Sequence, residues 1–367
     1  MGFLDKLLGK KEASIQYDND FWNWFLKYEK QFFKAVKNGD NIHKDFFDKL
    51  APRLDEIHDG IYFLTGMFDD QTAELVLTPD GVIKNIYVIE ELINNAPKIE
   101  GWRFSALKPA SDIKDVSINY EGFKINKDNL KFYPNIHEGY PDEIDLTIIY
   151  DGFIEEKKGE LINGVYIFLD NYLGELHSVT LIDNMKVVGS EGVSEELIPI
   201  EKLKDYLIWR EKEFVEKYEG TRHNTENDNY SGFESNIKDG GIVIALMNTD
   251  LLNWDQKASH PWMFIITIPF DGSSNNNGMP DNETYQLLNV IEDQIMLDLK
   301  DLEGYLNVGR ETLANKREIF FACKDFRKPT KVADELIKRY NSVFEITYEI
   351  YKDKYWQTFK HYKPRLD

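Results

Sequence analysis

Pro261-Trp-Met-Phe-Ile-Ile-Thr-Ile-Pro-Phe270, followed at once by Asp271-Gly272 and a polar run from Ser273 to Gly278, decides how the C-terminal third of the chain is read. A short apolar run rich in β-branched and aromatic residues, stopped by a turn dipeptide, predicts a buried strand. Working outward, Pro280 suits a first helical turn and Asp281, Asn282 and Glu283 suit a helix N-terminus. Leu288, Ile291, Ile295 and Leu299 then recur every three or four residues along one face. Tyr305 to Thr312 and Arg317 to Lys324 read as two strands around Leu313-Ala-Asn-Lys316, with Ile319, Phe321 and Cys323 on one side by period-two alternation. After Lys328-Pro329, Val332, Leu336 and Tyr340 predict a second helix, and Phe344, Ile346, Tyr348 and Ile350 alternate in a closing strand. The order is βαββαβ, the split arrangement of ferredoxin-like domains, with two helices covering one face of an antiparallel sheet.

Several stretches run collinearly through this unit. They are Asn275-Asn-Asn-Gly-Met-Pro-Asp281, Ile291-Glu-Asp293, Val308-Gly-Arg310, Arg317-Glu-Ile-Phe-Phe321 and, past the closing strand, Asp353-Lys-Tyr-Trp356. In these residues the segment from about 240 to 362 resembles the bacterial family catalogued as domain of unknown function 695. More distantly it is similar to the regulator of ribonuclease E activity B, a small acidic protein inhibitor. The resemblance implies a ferredoxin-like fold and, by analogy alone, an inhibitor's mode of action.

The preceding two thirds read as folded α+β structure. Phe21, Phe25, Tyr28, Phe32 and Val36 form one helical stripe ended by Asn38-Gly-Asp40. Phe46 or Phe47, Leu50, Leu54 and Ile57 form a second, which makes a helical hairpin. Ile61 to Met67 and Thr72 to Thr78 read as strands, and Pro79-Asp-Gly81 is a turn into Val82 to Val88. A helix around Glu90 to Asn95 comes next, and Gly101 to Leu107 resumes strand. Ile144 to Tyr150 is a strand, Phe153 to Tyr172 a helix despite Gly159 and Gly164, and Leu176 to Val188 holds one or two strands. A charged helix follows Pro199. The expected organisation is a flexible 1–14, an α+β region 15–219 with a further split near 110, a linker 220–239, and the ferredoxin-like domain 240–367. Asp145-Leu-Thr-Ile-Ile-Tyr-Asp-Gly152 echoes Ile265-Ile-Thr-Ile-Pro-Phe-Asp-Gly272, which raises the question of a duplication.

Composition bounds the chemistry. The 367 residues carry 44 Lys and Arg against 65 Asp and Glu, a formal charge of -21. Such a balance repels phosphate backbones and lipid headgroups and favours basic partners over nucleic acid. The single cysteine, Cys323, excludes an intramolecular disulfide and points to the cytoplasm. Met1 to Lys11 lacks the features of an exported leader, although Phe3, Leu4, Leu7 and Leu8 line one side of a short basic helix. No segment has the ~20 apolar residues of a membrane span.

No GxxxxGK[ST], HExxH, GxSxG or CxxC pattern occurs, and the seven histidines are scattered, so neither a metal nor a cofactor is expected. The loop from Asp271 to Glu283 is rich in oxygen ligands but fails the calcium-loop pattern, with Asn276 at the sixth position and Asn282 at the twelfth. Trp254 and His260 lie in a long stretch before the first strand, where Trp254 suits either a binding loop or a plug against the sheet edge. Together with Arg310, Asp325 and Arg327 at strand ends, they are the candidate binding residues. The expected function is a non-enzymatic acidic protein-binding module acting on a basic, nuclease-type partner. The alternatives are an immunity or antitoxin protein, or an enzyme whose site is assembled from residues distant in sequence.

Overall fold

A computed structural model describes residues 13–236, 241–272 and 277–362. Residues 1–12, among them the N-terminal stretch Met1 to Lys11, and residues 237–240, 273–276 and 363–367 lie outside them. The chain divides between Glu216 and Lys217 into two units.

In the N-terminal unit, α1 (Ala13–Asn38) is followed by a π-helical turn (His43–Phe47) that runs into α2 (Asp48–Asp55). Phe21, Phe25, Phe32 and Phe46 are buried, whereas Tyr28 is 39% exposed. This aromatic face packs on Trp102 and Phe104, with ring centroids 5.1 and 5.4 Å from Phe25. The two rings belong to a three-stranded sheet in which β1 (Tyr62–Met67) is antiparallel to β2 (Ala73–Thr78) and β3 (Trp102–Ala106) is parallel to β2. A parallel pair needs a crossover. α3 (Ile86–Asn94) supplies it, so the apolar run from Val82 to Val88 becomes a 3-10 turn and the start of a helix that buries Ile86, Tyr87, Ile89 and Leu92.

The rest of this unit pairs β4 (Ser117–Tyr120) with β5 (Phe123–Asn126) in a hairpin. It then builds a four-stranded sheet from β6 (Leu130–Asn135), β7 (Asp145–Tyr150), β8 (Asn184–Val188) and β9 (Ile198–Pro199), in the order β8-β7-β6-β9. α4 (Lys158–Leu173) and α5 (Glu175–Leu181) connect β7 to its parallel neighbour β8, and α6 (Leu203–Tyr218) ends the unit. Gly164 in α4 answers to packing, since a Cβ there would stand 2.4 Å from the Ile125 side chain. α5 replaces the strand expected at the start of Leu176 to Val188. Its Glu175 is fully buried and accepts from the Thr78 hydroxyl at 2.7 Å, Gly81 N at 2.8 Å and Lys108 N at 3.1 Å. A buried carboxylate satisfied from three directions holds the helix start where local propensity would not.

The C-terminal unit is one antiparallel six-stranded sheet. β10 (Tyr230–Asn236) and β11 (Ile242–Asn248) form a hairpin, and the short α7 (Thr249–Asn253) precedes β12 (Trp262–Pro269). Then come α8 (Asn282–Asp298), β13 (Tyr305–Leu313), β14 (Lys316–Cys323), α9 (Arg327–Tyr340) and β15 (Thr347–Lys352). The spatial order is β10-β11-β13-β14-β12-β15. α8 starts two residues past Pro280, on an Asp281 cap whose side chain accepts from Thr284 N at 2.8 Å. β13 and β14 turn through Ala314 and Asn315, both at positive φ (44° and 66°), the geometry that twists a two-residue hairpin correctly. β10 falls inside the stretch expected to be a linker, and β15 begins at Thr347, past Phe344 and Ile346. The echo between β7 and β12 stops at the strands. β7 leads through helices to an adjacent parallel strand, whereas β12 and β13 are separated by β14.

Arg310, Ile319, Ile266 and Tyr348 lie opposite one another across four strands and therefore share a face. Arg310 bonds Glu292 of α8 and Tyr348 bonds Asp334 of α9, so both helices cover that face. Leu288, Ile291, Ile295, Phe321 and Cys323 are fully buried there, and burial pushes the Cys323 thiol well up. The opposite face, with Met263, Leu306, Val308, Phe320 and Ala322, is sealed by Trp356, Phe359 and Tyr362 of the closing segment.

β13 carries a bulge between Asn307 and Gly309, and Gly309 sits at φ 146° with its Cα side against β11. A Cβ there would approach Leu246 O to 2.4 Å. Gly309→Ala is expected to destabilise the unit by roughly 3 kcal/mol from backbone strain and overlap together, with loss of amide protection in β11 ahead of β14. Hydrogen exchange checks the order, and equal loss in the two strands would contradict it.

Candidate functional site

Trp262 pairs with Cys323, so the residues just outside that pair, His260 before β12 and Lys324 after β14, meet at one end of the sheet. The stretch holding Trp254 and His260 is ordered by α7 and a 3-10 turn (Lys257–Ser259). Asn248, the last residue of β11, caps α7 by accepting from Leu251 N at 2.9 Å and donates its amide to Asp228 at 2.8 Å. Asp228 also holds Nε2 of His223 at 2.7 Å. Trp254 stands between two imidazoles, 5.2 Å from His223 and 5.4 Å from His260, and meets Trp356 at 6.2 Å. The Trp356 indole donates to the His260 carbonyl at 3.0 Å. Trp254 therefore packs against the sheet end through an aromatic cluster.

His260 is fully buried. The Ser259 hydroxyl donates to Gln256 O at 2.6 Å, so its oxygen accepts the Nδ1 proton of His260 at 2.8 Å. A hydroxyl has one proton, which places the imidazole in its Nδ1–H form and leaves Nε2 as an acceptor. Nε2 has no hydrogen-bond partner. Burial, with the positive neighbours Lys324, Arg222 and His223, pushes the His260 pKa down to about 3. Ser259 is not activated for attack, because its proton is committed to a carbonyl and the adjacent imidazole nitrogen is itself a donor.

Of the other candidates, Asp325 and Arg327 pair with each other at 2.9 Å just past β14, and Asp325 also accepts from Arg327 N at 2.8 Å. They belong to the same sheet end. Arg310 does not. Its Nη1 bonds Glu292 at 2.7 Å under α8, beside Arg317, which is 1% exposed. Arg317 donates to Asn289 at 2.9 Å and to Thr312 at 3.3 Å, and burial with the Arg310 charge lowers its pKa to about 10. Arg310 thus lies within β13, not at a strand end, with its guanidinium paired to Glu292. The sheet end also contains His223, Asp228, Arg222, Ser259 and Lys324, which the sequence did not single out. Three of these five lie in the polar stretch 220–239, whose composition carries no local signal of a site.

Among the described residues, no three His, Cys, Asp or Glu side chains come together as a metal site, and no helix is long and apolar enough to cross a membrane. The model of a family of unknown function, DUF695, matches residues 228–362, from just before β10 to the end of the closing segment. Neither the curated proteins nor the solved structures yield a match to the chain.

Proposed function

We propose that the protein is a non-enzymatic, acidic protein-binding module that docks a basic partner of nuclease type in the cytoplasm. The distribution of charge carries this reading. Residues 11–216 hold 40 Asp and Glu against 23 Lys and Arg, a net -17, while residues 217–367 hold 24 against 19, a net -5. Most of the excess of -21 therefore lies on the N-terminal unit, which is the main electrostatic surface for a Lys- or Arg-rich partner. Trp254, Asp325 and Arg327 add contacts from the C-terminal sheet end.

We read residues 262–352 as a ferredoxin-like unit extended by the β10–β11 hairpin. Supporting this are the βαββαβ order and the two helices over one face. The similarity to the regulator of ribonuclease E activity B enters at this level, and it is what names a nuclease as the class of partner. Association is expected to be fast at low salt and to weaken roughly tenfold or more by physiological ionic strength, where exposed charges reach only ~8 Å. Immobilised full-length chain, a partner identified from its native extract, and calorimetry over a salt series measure this. A captured partner of acidic or neutral surface, or an affinity independent of salt, would overturn the reading.

A further inference from the structure

A cavity of about 400 Å³ opens within the N-terminal unit, between the turn after β2, the end of α4, α5 and the start of β8. Its size is that of a small-molecule site. Leu169 and Ser178 are buried at its floor, Val179, Ile182 and Met185 are half-buried along its walls, and Tyr166 is exposed at its rim. Into this largely apolar lining is set the carboxylate of Asp170, its side chain only 19% exposed.

Asp170 is short of positive charge. The nearest cation, Lys108, bonds Asp80 at 2.7 Å and stands 3.9 Å from Asp170, which also accepts from the Ser178 hydroxyl. The buried Glu175 acts on the same ammonium group, so three carboxylates share one cation. Burial raises the Asp170 pKa, and the Glu175 and Asp80 charges push the same way. Asp183, which also lines the cavity, is held by Ile144 N at 2.7 Å. A monovalent cation beside Asp170 would reduce the excess. A metal ion does not suit the lining, because among the described residues no three His, Cys, Asp or Glu side chains come together and the walls are apolar.

We infer that this cavity binds an organic amine, its ammonium group on Asp170 and its apolar stem along Leu169, Val179, Ile182 and Met185. An ammonium group brings three donors and a full charge, so its bond to a carboxylate with little water around it is of the strong, charge-assisted kind. The stem gains by leaving water for the apolar walls. A free amine and a lysine side chain of a protein partner share this chemistry, so binding of an amine here does not depend on the docking of a basic protein.

The test is calorimetry on the full chain near neutral pH, with phenethylamine, the uncharged phenethyl alcohol, the anionic hydrocinnamate and Nα-acetyl-lysine methylamide as probes. Phenethylamine is expected to bind at least tenfold more tightly than the alcohol or the acid, and Asp170→Asn is expected to weaken it roughly tenfold or more. Val179→Phe keeps every charge and fills the space, so it should abolish binding. Thermal unfolding of both variants confirms that they are folded. Binding of the lysine derivative as well marks a cavity open to a partner's side chain, and binding of phenethylamine alone marks one closed around a free amine. No binding of phenethylamine, equal binding of the alcohol, or unchanged affinity in either folded variant, as for a cation held only by the acidic surface, would overturn the inference.

Discussion

Glu292→Gln is expected to destabilise the C-terminal unit by about 3 to 5 kcal/mol, the range for breaking a buried ionic cluster from one side. Among the described residues, Glu292 is the carboxylate that Arg310 and Arg317 share beneath α8, at 2.7 and 4.0 Å, and its side chain is 8% exposed. Removing its charge leaves two guanidinium groups facing each other, where burial, and then the Arg310 charge, already lowers the Arg317 pKa. Combining Glu292→Gln with Arg310→Met should recover much of the loss, because one of the two unpaired cations is then gone. Urea unfolding followed through β13 and β14 amide exchange measures both. A single variant as stable as the parent would show that Asn289, Thr312 and the Tyr285 ring, over which the Arg317 guanidinium lies at 5.1 Å, hold Arg317 without the carboxylate.

The second large effect is one of pH. His260 is neutral in the folded state down to about pH 3, whereas an unfolded chain protonates it near 6.5. The unfolded state therefore binds more protons across that window. Stability contributed by the neutral imidazole is fully present above pH 6.5 and drains away as pH falls toward 3. Each pH unit inside the window removes up to about 1.4 kcal/mol, so moving from pH 6.5 to 4.5 costs roughly 2 to 3 kcal/mol from this group. His260→Gln retains a donor for Ser259 and has no such titration, so its stability should be nearly flat over the same interval. Chemical denaturation at several pH values, parent against variant, checks this. Parallel pH profiles would show that His260 is solvated in the folded protein.

The parts of the fold legible in sequence were those whose side chains repeat with the period of their own element. Leu288, Ile291 and Ile295 place α8, and Ile319, Phe321 and Cys323 place β14, because burial on one face leaves a pattern of 3.6 or 2 in the chain itself. Three features escaped for three different reasons. The helix read around Glu90 to Asn95 starts earlier, at Ile86, in β-branched sequence, because the parallel pairing of β2 and β3 demands a crossover. The helical start of α5 rests on Glu175, whose partners lie 67 to 97 residues away. β10 is a polar strand that exists because β11 has an edge to pair with, and nothing in its own residues alternates toward a core.

The same division separates what each level determined about function. By itself the sequence determined the charge of -21, the βαββαβ order, the burial of Cys323 and the interest of Trp254 and His260, since each follows from composition or short-range period. Only the tertiary structure set Arg310 against Glu292, across 18 residues. It also brought Lys324 within reach of Thr221, 103 residues away, and left His260 Nε2 without a partner. Pairings of that span are selected by how strands stack and which face a helix covers, and no local propensity records them.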